Sequence, residues 1–159
     1  MRTFLIAVAA SLLAACSAFG GGDKDDNVGM SFSEAGSLAP ELAPGNGRIF
    51  VYRERSSLGN ALSTDVSLNG EMIGNSEPGG FFYVDRPAAD YKIVAAQAGS
   101  TSTDDAARKV AFTLAPGQSV YVKITIGGIA IAHVNADLVE PGHAVADMQT
   151  LRYGKPKFF

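Results

Sequence analysis

Between Val120 and Ile126 the chain alternates without a slip: Val120, Val122, Ile124 and Ile126 fall on one side, Tyr121, Lys123 and Thr125 on the other. Successive residues of a β-strand point to opposite faces, so this stretch reads as a half-buried strand whose core side is already decided. Val110, Phe112 and Leu114 alternate in the same way just upstream, with Pro116 and Gly117 between the two runs. The pattern predicts that these two strands pair antiparallel.

The same grammar extends back to residue 48. Arg48 to Glu54 is dense in β-branched and aromatic residues. Asp65 to Leu68 and Glu71 to Gly74 flank Asn69 and Gly70, two residues that tolerate the positive φ angles of a tight hairpin turn. Pro78 to Gly80 and Pro87 to Asp90 make turns around Phe81 to Asp85 and before Tyr91 to Gln97, and Gly99 to Asp105 reads as an exposed loop. Ile129 to Val139 reads as a strand with an irregular start. Pro141 suits a first helical position, with Ala144, Met148 and Leu151 on one face of a short helix; a final strand is the competing reading. Residues 47–159 are enough for one core and too few for two. The expected fold is all-β, a single antiparallel β-sandwich of about seven strands with a short C-terminal helix.

The N-terminus obeys different rules. Arg2 precedes ten residues, Phe4 to Leu13, that are nearly all apolar. As a helix they would cover about 15 Å, half of a bilayer's hydrocarbon core, so residues 1–15 read as a cleaved export signal and not a membrane span. Leu13, Ala14, Ala15 and Cys16 resemble the bacterial lipobox, and Cys16 is the only cysteine in the chain. That resemblance implies cleavage between Ala15 and Cys16, a diacylglycerol thioether on the sulfur and a further acyl chain such as palmitate on the new amino group. Two or more chains hold a protein on a membrane where one does so marginally. Ser17 follows the cysteine, which resembles an outer-membrane address facing the periplasm. Residues 16–46, rich in Gly, Ser, Asp, Ala and Pro, read as a flexible tether, with docking of Met30, Phe32 and Leu38 on the domain or on a partner as the alternative.

Loss of Arg2 with the signal leaves 12 basic against 16 acidic side chains. A mildly acidic body has no electrostatic reason to bind nucleic acid. Acylation consumes the sole thiol, so catalysis would fall to His, Ser or carboxylates. His133 shares a strand face with Asn135 and Asp137, and His143 stands four residues before Asp147. A metal site from His133, Asp137, His143 and Asp147 has no recognised ligand spacing behind it, and there is no Gly-x-Ser-x-Gly elbow or phosphate-loop pattern. The reading is therefore a non-enzymatic module without metal or cofactor. A periplasmic hydrolase or metal-dependent enzyme using His133 and His143 is the alternative.

Binding candidates are Phe81 or Tyr83, if one ring of the Phe81-Phe82-Tyr83 run is exposed while the alternate ring enters the core, and Arg53 and Arg55, on one side of the first strand within reach of acids such as Asp85; core packing of each aromatic and a solvated strand edge for the arginines are the default readings. Their partner would be an envelope protein or polysaccharide. The terminal Phe158 and Phe159 do not make a membrane-barrel strand, because Lys155 and Lys157 would face lipid.

Arg48, Val51, Tyr52 and Arg53, the Val66 to Gly70 hairpin, and Gly80 with Phe82 and Tyr83 resemble the bacterial family of domain of unknown function 2846. Ala115 to Gly117 and the Gly127-Gly128 pair fit as well, so the resemblance covers roughly residues 47–152. It implies a short envelope protein, often lipidated, with no assigned reaction. The hairpin also resembles PEGA-type sandwich repeats, which carry Pro-Gly where this chain has Pro87, Ala88, Ala89 and Asp90.

Overall fold

The computed structural model describes residues 29–57, 59–98, 108–128, 133–154 and 156. The Gly99 to Asp105 loop, the start of the run from Ile129, and the whole signal and lipobox segment lie outside them. In chain order the elements are α1 (Phe32–Leu38), β1 (Asn46–Arg53), β2 (Thr64–Leu68), β3 (Glu71–Ser76), β4 (Gly80–Pro87) and β5 (Ala89–Gln97). They continue with β6 (Lys109–Leu114), β7 (Ser119–Gly127), β8 (His133–Leu138), α2 (Pro141–Met148) and β9 (Arg152–Tyr153). Both C-terminal alternatives are thus present, the helix first and a two-residue strand after it. Among the described residues no helix is long and apolar enough to cross a membrane.

Two sheets form the sandwich, ordered β8-β7-β1-β4-β9 and β3-β2-β5-β6. The Asn-Gly hairpin stands where turn chemistry puts it: Asn69 and Gly70 have φ of 50° and 89°, and Leu68 faces Glu71 across the turn. Both central angles are positive, the two-residue geometry that matches strand twist. The Asn69 side chain fixes the turn to β5 as well, its Oδ1 accepting from Lys92 N at 2.8 Å.

The core lies between the layers. Ile49, Val51, Phe82, Val84, Val122 and Ile124 of the first sheet meet Val66, Leu68, Ile73, Ile93 and Leu114 of the second, all buried. Each large aliphatic side chain taken fully from water contributes about 1.5–3 kcal/mol.

Two expectations fail on sheet membership. The runs at Val110 and Val120 do not pair: β6 bonds to β5, whereas β7 bonds to β8 and runs parallel to β1, with Ile49 facing Val120 and Val51 facing Val122. The β6–β7 turn crosses from one layer to the other, because its residues bond to the start of β1, Gly117 N to Asn46 O and Arg48 N to Gln118 O, each at 2.8 Å. The first sheet is also not purely antiparallel, since β4 and β9 are parallel too.

The tether reading changes from Gly29 onward. Met30, Phe32 and Ala35 pack against the first sheet, while Leu38 is 56% exposed, so two of the three residues of the docking alternative are engaged. Helix α1 starts at Ser31 with a reciprocal capping box to Glu34, which supplies two otherwise unpaired N–H groups with acceptors.

Candidate functional site

The first sheet is covered on both sides, which places its chemistry on the outer face. β1 alternates there through Arg48, Phe50 and Tyr52, flanked by Asp85, Tyr83 and Phe81 of β4 and by Tyr121 and Lys123 of β7. The aromatic rings interlock. Phe50 stacks on Tyr121 at 5.1 Å, and Phe32 of α1 sets its edge against Phe50 at 5.9 Å and Phe81 at 5.5 Å. Phe81 meets Tyr153 at 5.6 Å. Such edge-to-face pairs each contribute about 0.5–1.5 kcal/mol beyond area burial.

Arg48 closes the lower end of this face. Its guanidinium grips Asp85 in a two-point fork, Nε to Oδ1 at 2.7 Å and Nη2 to Oδ2 at 2.8 Å, donates to Pro40 O, and lies 4.4 Å over the Tyr83 ring. The Asp85 hydrogen bonds hold the guanidinium above its ordinary pKa against partial desolvation.

At the upper end a polar cluster ties α2 to the sheet. Tyr52 donates its hydroxyl to Asp147 Oδ2 at 2.9 Å, and Lys123 Nζ bonds the same oxygen at 2.9 Å and also reaches Glu54. Burial, then the bond to Asp147, pushes the Tyr52 phenol well above the usual tyrosine range. Burial alone would pull the Lys123 ammonium down, but its bonds to Glu54 and Asp147 outweigh that and leave it raised. The Lys123 hydrogen bond, with smaller help from Tyr52, holds Asp147 below the usual aspartate value despite desolvation. The phenol is held in its donating form, and Asp147 Oδ2 accepts from both Tyr52 and Lys123. The cluster is a fastening between helix and sheet.

The residues singled out from sequence do not converge. Phe81 is 2% exposed and Tyr83 half-buried, because α1 and β9 cover the face that the alternation left open. Arg53 does not pair with Asp85, and β1 is the middle of its sheet, not a solvated edge. Arg53 points between the layers at 2% exposure, where Nη1 donates to Leu62 O at 2.8 Å, Ser76 O at 3.2 Å and Thr64 Oγ1 at 3.5 Å, and Nη2 donates to Gly59 O. Burial pulls its guanidinium below the ordinary value. Arg55 lies past the end of β1, exposed, with its side chain over Gly79. His133 begins β8 opposite Gly127, Asp137 faces Lys123, and His143 sits exposed one turn before Asp147 on α2. Among the described residues no three His, Cys, Asp or Glu side chains gather to hold a metal.

Sequence reading missed the two groups that matter most here. Arg48 was legible only as a strand residue within the family resemblance, and the Tyr52-Lys123-Asp147 cluster joins three elements that no local pattern connects. A small hollow of about 150 Å³ lies beside the Lys123 end of this face, between Glu54, Arg55 and Thr125. An open cleft of about 470 Å³ lies at the sandwich edge between Phe112, Tyr121, Leu138 and Val139. A second, about 580 Å³, spreads over the outer face of the second sheet between Lys92, Lys109 and Ser67. The Ser67 hydroxyl there donates to Val94 O at 3.5 Å and not to either lysine.

No curated protein and no solved structure matches the chain. A family model does match, over residues 43–135. That span runs from just before the central strand β1, through every strand of the second sheet, to the start of β8. The chain belongs to the family described as "Protein of unknown function (DUF2846)".

Proposed function

We propose that the protein is a membrane-anchored lipoprotein of the bacterial cell envelope, held by acyl chains on Cys16 at the outer membrane and facing the periplasm. Its sandwich serves as a non-enzymatic accessory module that binds or stabilises an envelope protein or polysaccharide. One observation carries the reading: the sole cysteine stands at the end of Leu13-Ala14-Ala15-Cys16, directly behind a ten-residue apolar run. The folded body is compatible with it. The described residues begin at Gly29, 13 residues beyond Cys16, a length of chain that spans at most about 45 Å. The accessory role is supported by the polar groups of the outer face, which spend their hydrogen bonds on one another.

The test is fatty-acid labelling of growing cells followed by intact-mass analysis. The expected product begins at Cys16 and carries diacylglycerol and an amide-linked acyl chain, and Cys16→Ser shifts the protein to the soluble fraction. An unmodified thiol on the protein from wild-type cells would refute the anchor. Recovery of no envelope protein or polymer with the solubilised lipoprotein would refute the binding role.

A further inference from the structure

The segment 29–45 is built as a strap, and its two ends lie at opposite poles of the sandwich. At one end Gly29 N donates to Tyr153 O and Tyr153 N to Met30 O, each at 2.8 Å, and Ser31 bridges Arg152. Tyr153 faces Phe81, which faces Tyr52, so Gly29 lies level with the last residues of β1, across β4 and β9. At the other end the strap runs into Asn46, the first residue of β1. The seven positions from Asn46 to Tyr52 rise about 20 Å. The strap therefore crosses the whole outer face, pinned near its Asn46 end by the Arg48 bond to Pro40 O.

Few groups hold it. Ala35 is the one fully buried residue of α1, Met30 and Phe32 are partly buried, and Leu38 is exposed. Against these stand 17 ordered residues, each of which gives up conformational freedom on docking. A seven-residue helix does not persist alone in water, so α1 exists only while Phe32 stays seated between Phe50 and Phe81. Segments of this kind open locally without unfolding the body.

We infer that the strap is a release device that decides which pole of the domain faces the membrane. Docked, the chain coming from residue 16 joins the body at the Tyr153 pole after 13 residues. Undocked, it joins at the Asn46 pole after 30 residues, and its greatest span rises from about 45 Å to about 105 Å. Release inverts the domain, more than doubles its reach, and uncovers the aromatic groove of Phe50, Phe81 and Tyr153. Local release is a property of the folded chain alone; its effect on orientation rests on the anchor proposed above.

Hydrogen exchange on the full mature chain carrying Cys16→Ser tests the release without the anchor. The amides of Gly29 and Ala35 are expected to exchange on the order of 100-fold faster than those of Val51 and Tyr52, by an opening that low urea does not accelerate. Phe32→Ala raises strap exchange about tenfold further and leaves β1 unchanged. A disulfide from Ser31→Cys with Arg152→Cys slows it to near the β1 rate until reductant is added. Strap and β1 amides exchanging together in the Cys16→Ser chain would overturn the release. Acylated protein on a supported phosphatidylethanolamine–phosphatidylglycerol bilayer then tests orientation by neutron reflectometry. Phe32→Ala is expected to move protein density outward relative to the oxidised disulfide form. Equal profiles, with strap exchange raised, would overturn the inversion; failure of the purified chain to stay on the bilayer would strike the anchor and leave the exchange result standing.

Discussion

Replacing Arg53 by methionine keeps the length of the side chain and removes every donor from the closed end of the sandwich. The wild-type guanidinium serves the carbonyls of Leu62, Ser76 and Gly59 and the Thr64 hydroxyl at 2% exposure. Hydrogen bonds from a charged donor contribute about 1.5–3 kcal/mol each, and a buried acceptor left without a partner costs about 1–3 kcal/mol. Three carbonyls would give a large sum, but relief of the desolvated charge offsets part of it. The expected net loss is about 3–5 kcal/mol, a large share of the roughly 5–15 kcal/mol that holds a domain folded. At about 1–1.5 kcal/mol per molar urea, the unfolding midpoint should fall by roughly 2–5 M. Arg53→Lys, which offers one compact ammonium in place of a fork, should lose about half as much. A methionine variant whose midpoint stays within about 0.5 M of wild type would refute the assignment of Arg53 as the bolt of that end.

The Asp147 fastening makes a pH prediction. Its folded pKa lies below the ordinary aspartate value, so its contribution is complete above that ordinary value and disappears as pH falls through the lower, folded one. Asp147→Asn should lower stability by about 1 kcal/mol at pH 7 and flatten the acid limb of the urea-midpoint profile, and an unchanged limb would contradict the bond. Gly47→Ala should cost about 1–3 kcal/mol in the same assay, because an added Cβ would stand 2.8 Å from Gln118 O and 2.7 Å from Leu114 Cδ1, atoms of the packed β6–β7 crossing.

Local chemistry was readable and remote neighbours were not. Asn69 and Gly70 announce their turn because the required φ angles belong to those two residues. The alternation at Val120 announces which side is buried for the same reason. It does not say which strand lies alongside, and Pro116-Gly117 suits a hairpin as well as a crossing between layers. Only the bonds from Gly117 and Gln118 to the start of β1, about seventy residues upstream in sequence, decide the matter. Arg53 was read as lying on a solvated edge from its polarity and position in a β-rich run, and Phe81 as one of a run in which a single ring could face a partner while core packing was the default. Their burial follows from the 54–63 connection and from α1, elements with weak patterns of their own. The fastening of Tyr52, Lys123 and Asp147 was invisible for the same reason, since its members share a site through β1, β7 and α2 and through no spacing.

The parallel pairing of β1 with β7 has a consequence for the order in which the molecule can be built. Strands β2, β3, β5 and β6 all precede residue 115, so the second layer can close while the chain is still being delivered. The first layer has only the β1–β4 pair by then, and its spine must wait for a second neighbour from residues 119–127. Contacts so distant in sequence form slowly. Chain growth from the N-terminus therefore leaves the far edge of β1, already paired with β4 on its other side, without its parallel neighbour until residues 119–127 are made.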